Sequence, residues 1–188
     1  MKLNLGCGRR PMDGWVNVDC VDLPGVDLIA DLEALTLPYP DDTVDELALV
    51  HVLEHISNPL PLMQELWRVA EPGATLTICC PYGSSDDADE DPTHVRRIFL
   101  NTFAYFGQPF YYRADYGYRG DWDVDHLVLD LGAQYAGVPA GEVMADVASI
   151  RNVVTQITAV MRAVKPIREP LQELIEPPRV ALRVADGR

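Results

Sequence analysis

Basic residues are scarce: 15 Lys and Arg stand against 29 Asp and Glu, for a formal net charge of −14. Duplex nucleic acid is held by Lys and Arg that neutralise phosphates, so this balance disfavours a nucleic-acid substrate. The paired candidates for a local basic patch are Arg9-Arg10 and Arg96-Arg97. Long apolar runs are also missing. No stretch approaches the roughly 18 residues a membrane span needs, and no basic segment followed by an apolar run opens the chain. No membrane is expected, and a cytoplasmic location is. Cysteine is sparse as well, at four residues. Cys7, Cys20, Cys79 and Cys80 have neither disulfide-framework nor metal-ligand spacing, which points to free thiols.

What is present is a soluble globular composition, 48% hydrophobic and 23% charged over 188 residues, enough for one domain with a sizeable core. The chain opens Met1-Lys2-Leu3-Asn4-Leu5-Gly6-Cys7-Gly8, a strand running into a glycine turn. Neither Gly6 nor Gly8 has a Cβ to block close approach of a bulky ligand. Eleven residues after Gly8, Val16-Asn17-Val18-Asp19 reads as a second strand ending in an acid. Strand, glycine turn, strand and acid is how open α/β sheets hold a ribose.

Further strands are expected at Leu3–Cys7, Val26–Ala30, Val44–Val52, Ala74–Cys80, Val124–Leu131 and Val180–Val184. A helix from Asn58-Pro59 to Val69 carries Leu62, Met63, Leu66 and Val69 at helical spacing. Another is expected to run from about His94 to Phe106. Alternating strands and helices indicate a mostly parallel sheet with helices on both faces. The connection Arg9–Gly14 is too short for the usual crossover helix.

From Val143, apolar residues recur at Val147, Ile150, Val154, Ile157, Met161 and Val164, in alternating steps of four and three. This heptad stripe predicts a helix over about 138–164, roughly 39 Å long, within a helical insertion at about 132–178. A core-packing helix, a homodimer contact and a lid are its three candidate roles.

Asp86, Asp87, Asp89, Glu90 and Asp91 crowd one loop, but without calcium-loop spacing they read as a solvated run, so no metal is expected. His55 reads as a helix-start residue. Residues Phe110–Trp122 are rich in aromatics and read as packing or an oligomer contact at the sheet end opposite the glycine turn.

With Leu5-Gly6-Cys7-Gly8, Asp19, Asp31-Leu32, Leu37-Pro38-Tyr39-Pro40-Asp41-Asp42, Val52-Leu53-Glu54-His55 and Glu65-Leu66-Trp67-Arg68-Val69 in order, the chain resembles class I S-adenosylmethionine (SAM)-dependent methyltransferases of the type 11 branch. The motifs cover about residues 3–80. The resemblance implies a Rossmann-like sheet whose last strand is antiparallel, placed at Val180–Val184. It implies SAM as cofactor and S-adenosylhomocysteine as product. It also implies cofactor contacts at Leu5, Gly6, Cys7 and Gly8, with Asp19 on the ribose hydroxyls. Asp31 and Leu32 would meet the adenine, and Val50 and His51 the methionyl end. The heptad segment would roof the pocket in place of the N-terminal helices that relatives carry. Arg10 replaces the usual third glycine of the turn.

Methyl transfer needs in-line approach of a nucleophile, plus a base when a proton must leave. Among the loop residues after the fifth strand, His94 is the expected base and Tyr82 a pocket-lining residue. The expected function is methyl transfer to an oxygen or nitrogen of a small-molecule acceptor. The alternatives are a nucleobase or nucleic-acid methyltransferase, and a SAM-binding protein without methyl transfer.

Overall fold

A computed structural model describes residues 1–34 and 36–184. The chain begins with β1 (Lys2–Leu5), β2 (Val16–Asp19), β3 (Leu28–Ile29) and β4 (Val44–Val50). Helix α1 (Pro59–Val69), β5 (Ala70–Pro81) and a single helical turn, α2 (Asp87–Glu90), follow. The second half holds β6 (Trp122–Leu131), α3 (Ala140–Ser149), β7 (Val154–Ala163) and β8 (Arg179–Val184). The strands form one sheet in the order β3-β2-β1-β4-β5-β7-β6-β8. Among the described residues only β7 opposes its neighbours; β1 to β5 pair in parallel, and β8 lies parallel to β6 on the outer edge. This is a Rossmann-like α/β sheet, with the C-terminal ends of β1 to β5 sharing one edge.

The first crossover is unusual, because Gly6–Trp15 must connect parallel neighbours without a helix. Two buried asparagines replace its hydrogen bonds. Asn4 Nδ2 donates to Asn17 Oδ1 at 2.9 Å and to the Arg10 carbonyl at 3.1 Å. Asn17 Oδ1 also accepts from the Met12 N–H at 2.7 Å, while its amide nitrogen donates to the Met12 and Trp15 carbonyls, each at 3.3 Å. Backbone groups that a helix would have satisfied are met by side chains instead.

Helix α1 forms where expected and buries Leu62, Met63, Leu66 and Val69 against the sheet. Its two tryptophan contacts tie the halves together: Trp67 Nε1 donates to the Val164 carbonyl, and Trp122 Nε1 to the Met63 carbonyl, each at 3.0 Å. The expected helix up to Phe106 is instead a 3-10 helix confined to Leu100–Phe106. Residues Tyr111, Tyr118 and Trp122 are buried near the start of β6, at the sheet edge opposite the glycine turn.

The expected helix over 138–164 is not formed, and the segment is not a helical insertion. Helix α3 stops at Ser149, Asn152 adopts φ 61°, and β7 begins at Val154. The residues Val153-Val154-Thr155-Gln156-Ile157-Thr158-Ala159-Val160 are rich in β-branched side chains, which favour a pleated, half-buried surface. Burial in β7 alternates with period two, hiding Ile157, Ala159, Met161 and Ala163. The heptad stripe is thus the sum of one helix face and one strand face, and the dimer contact assigned to a continuous 138–164 helix has no such helix to form it.

The antiparallel strand beside β5 is therefore β7, not Val180–Val184. Residues 179–184 form an additional parallel edge strand instead.

Candidate cofactor and acceptor clefts

The turn after β1 is shaped by two left-handed glycines, Gly6 at φ 66° and Gly8 at φ 52°. They differ in surroundings. A Cβ on Gly6 would lie 2.4 Å from Val52 Cγ2, whereas one on Gly8 would meet nothing within 4 Å. Gly6 is required by packing, and Gly8 leaves an open face. The Gly8 N–H donates to Asp19 Oδ2 at 2.7 Å, and the Val21 N–H to Asp19 Oδ1 at 3.0 Å. Asp19 is 8% exposed. Both its oxygens brace the backbone, and each retains a second lone pair.

A cleft of about 660 Å³ opens at this turn, lined by Asn4, Gly6, Cys7, Gly8, Arg9, Arg10, Met12, Val50 and His51. Of the expected cofactor residues, Gly6, Cys7, Gly8, Val50 and His51 meet here. Leu5 does not: its side chain is fully buried in the core, so only its backbone borders the turn. Asp19 ends β2, and Asp31 and Leu32 lie just past β3, on the same sheet edge. Asp31 is exposed, with Oδ1 accepting from the Glu33 N–H, and Leu32 is buried.

His51 follows β4 with φ 57°, a conformation that β-carbon sterics disfavour and that marks a site held by its surroundings. Beneath it sits Glu54, 1% exposed, with Oε1 3.3 Å from His51 Nδ1. The hydrogen bond to Glu54 holds the His51 imidazole above its ordinary value, against the opposing effect of burial. Burial pushes the Glu54 carboxyl up, but hydrogen bonds from His51 and from its own backbone N–H outweigh it and leave the group below its usual range. Burial raises the Cys7 thiol, with the nearby Asp19 charge adding to it. The sequence reading passed over Glu54, although it stands in the quoted Val52–His55 motif.

A second cleft of about 480 Å³ lies at the loop after β5, lined by Tyr82, Gly83, Ser84, Asp89, Arg97, Phe99 and residues Val147 to Arg151. Tyr82 is here, edge-on to Phe99 with centroids 5.5 Å apart, and burial raises its phenol. The turn between α3 and β7 clasps this loop. The Asn152 N–H donates to the Ser84 carbonyl at 3.1 Å, and the Asp86 N–H to Asn152 Oδ1 at 2.7 Å. Asp86 pairs with Arg151, and Asp89 with both Arg97 and Arg151. Those carboxylates are spoken for by arginines.

His94, the expected base, lines neither cleft. Its Nδ1 lies 3.2 Å from the Ala88 carbonyl, and its ring packs edge-on against His55 with centroids 4.8 Å apart.

The open face of Gly8, the acid at the end of β2 and the free sheet edge suit a nucleoside-bearing ligand that enters over backbone. Residues 3–78 match the family model described as "Methyltransferase domain". Over 46 residues the chain is 39% identical to ajmaline N-methyltransferase of Rauvolfia serpentina, a match covering 24% of this chain and 16% of that protein. A SAM-dependent methyltransferase from Archaeoglobus fulgidus superposes with a TM-score of 0.55 at 15% identity, covering 86% of this chain and 85% of that one. The YcgJ protein of Bacillus subtilis does so with a TM-score of 0.54 at 14% identity, over 87% and 91%. The fold is that of class I SAM-dependent methyltransferases. Within that fold, residues 3–78 are similar to the type 11 branch, whose model they match.

Proposed function

We propose that this protein transfers the methyl group of SAM to an oxygen or nitrogen of a small-molecule acceptor, and that its 188 residues work as one catalytic domain. The observation that carries this reading is the pair of clefts on one sheet edge, at the ends of β1 and β4 and at the end of β5. When bound, SAM supplies an electrophilic methyl on a cationic sulfur. Gly6 and Gly8 would let it close on the backbone, with Leu5 and Cys7 contributing main-chain atoms. Asp19 would accept from the ribose hydroxyls through its remaining lone pairs. Asp31 and Leu32 would border the adenine, and Val50 and His51 the methionyl end.

The acceptor would enter the second cleft against Tyr82. Its volume falls within the range of small-molecule sites, and the chain's acidity disfavours polyanions. Alignment of the nucleophile supplies most of the rate in such a transfer. Among the described residues no helix is long and apolar enough to cross a membrane.

Incubation with methyl-labelled SAM and a panel of small amines, phenols and carboxylates, beside RNA and DNA, tests the reading. Label should pass to a small molecule, and Tyr82→Ala should raise the acceptor KM about tenfold or more while S-adenosylhomocysteine affinity holds. Label in nucleic acid alone, or none in any acceptor, contradicts it.

A further inference from the structure

We infer that Glu54, His55 and His94 form a binding site for one divalent transition-metal ion, with Zn²⁺ the best match. The site goes beyond the methyl-transfer reading and does not depend on it. One ligand atom from each of the three residues lies within 4.8 Å of the others. Their sequence positions conceal this, since His94 comes 39 residues after His55.

The donors are prepared for a cation. Glu54 is 1% exposed, and while Oε1 meets His51, the buried Oε2 has no hydrogen-bond partner. A buried carboxylate oxygen left unpaired is costly, and an ion on it removes the cost. Both histidines anchor Nδ1 on backbone carbonyls: His55 on Thr93 at 3.3 Å and His94 on Ala88 at 3.2 Å. The Thr93 hydroxyl donates to Asp91 Oδ1 at 2.6 Å and lies 3.0 Å from His55 Nδ1, so it accepts from that nitrogen. These contacts place the proton on Nδ1 of each ring and leave Nε2 with its lone pair, the outer-sphere pattern of metal-bound histidine. Asp91 Oδ2 lies 3.9 Å from His94 Nε2 and can fill a fourth position.

Two histidines and a carboxylate suit Zn²⁺, which takes nitrogen and oxygen at about 2.0–2.2 Å in a tetrahedron. Such bonds set ligand atoms about 3.3 Å apart, so binding would draw the three donors inward from their present spread. The backbone is already joined around the cluster. The Val95 N–H donates to the Glu54 carbonyl at 2.9 Å, and Arg96 donates to the carbonyls of Ile56 and Ser57. An ion here would pin the loop after β5 to the turn after β4. Those two segments carry Tyr82 and His51, one in each cleft.

Chelator-treated protein titrated calorimetrically with ZnCl₂ tests the site. One ion per chain should bind and raise the melting temperature. His55→Ala and His94→Ala should each weaken binding about a hundredfold or more, with unchanged far-UV circular dichroism of the metal-free protein. Glu54→Gln, which keeps the shape, should weaken it also. His126→Ala, outside the cluster, should bind as wild type. Co²⁺ should give visible ligand-field bands of a tetrahedral site, lost in His94→Ala. No binding at tenfold excess Zn²⁺, or wild-type affinity in both histidine variants, overturns the site. S-adenosylhomocysteine titrated into the same samples keeps the two readings apart, because its binding survives a failure of the metal site.

Discussion

Gly6 and Gly8 share a left-handed backbone, yet substitution should damage different properties at the two positions. Alanine at φ near +60° costs roughly 1–2 kcal/mol. At Gly6 the new methyl also drives into Val52, so Gly6→Ala should lose stability beyond that cost. At Gly8 the methyl enters open space at the cleft. Gly8→Ala should therefore unfold in urea within about 2 kcal/mol of wild type while losing at least tenfold in S-adenosylhomocysteine affinity. Equal affinity in Gly8→Ala would mean that no ligand passes over this turn. These two glycines and Asp19 could be read from the sequence, because the spacing of a turn and the acid after it is local. Glu54, His55 and His94 could not be read as a group. Their meeting depends on how the loop after β5 folds back on the turn after β4, which no spacing encodes. His94 was expected as a base because its loop starts beside the expected methyl position; in the structure its Nδ1 meets the Ala88 carbonyl and its ring packs on His55.

At the scale of elements, strands with one clear period and a helix with proline at its start were legible: β2 and α1 lie where the pattern puts them. The segment 138–164 was not. Steps of four and three satisfy a heptad, but an i, i+4 pair also lies on one face of a strand, as Ile157 and Met161 do. The β-branched run after Val153 and the turn at Asn152 decide for a strand, with Ile157 hidden between β5 and β6. Ile157→Asp should accordingly cost at least about 4 kcal/mol, from lost burial and an unpaired buried charge. Urea unfolding measures this. A variant of wild-type stability whose mass by light scattering falls by half would restore the helical interface. The short first crossover shows the opposite lesson. Its length ruled out a helix, but only the structure reveals Asn4 and Asn17 as the replacement.

For the whole molecule, the eight-stranded sheet brings the ends of β1 to β5 to one edge, and both clefts open there. Sequence motifs reach only to about residue 80, so they cover the lining of the first cleft and leave the second, proposed for the acceptor, to architecture. A buried ion pair closes the far end: Asp121, fully buried, accepts from the Gln108 N–H and from the Arg168 backbone and guanidinium. It fixes the return from β7 to β8 behind the sheet, away from the working edge. The account rests on cofactor binding at the glycine turn, and isothermal titration with S-adenosylhomocysteine tests that most directly. One molecule per chain should bind, raising the melting temperature by mass action, and Asp19→Ala should weaken it at least tenfold while NAD and ATP give no heat. No heat and no thermal shift at millimolar S-adenosylhomocysteine, or an Asp19→Ala variant that binds as wild type, would contradict it.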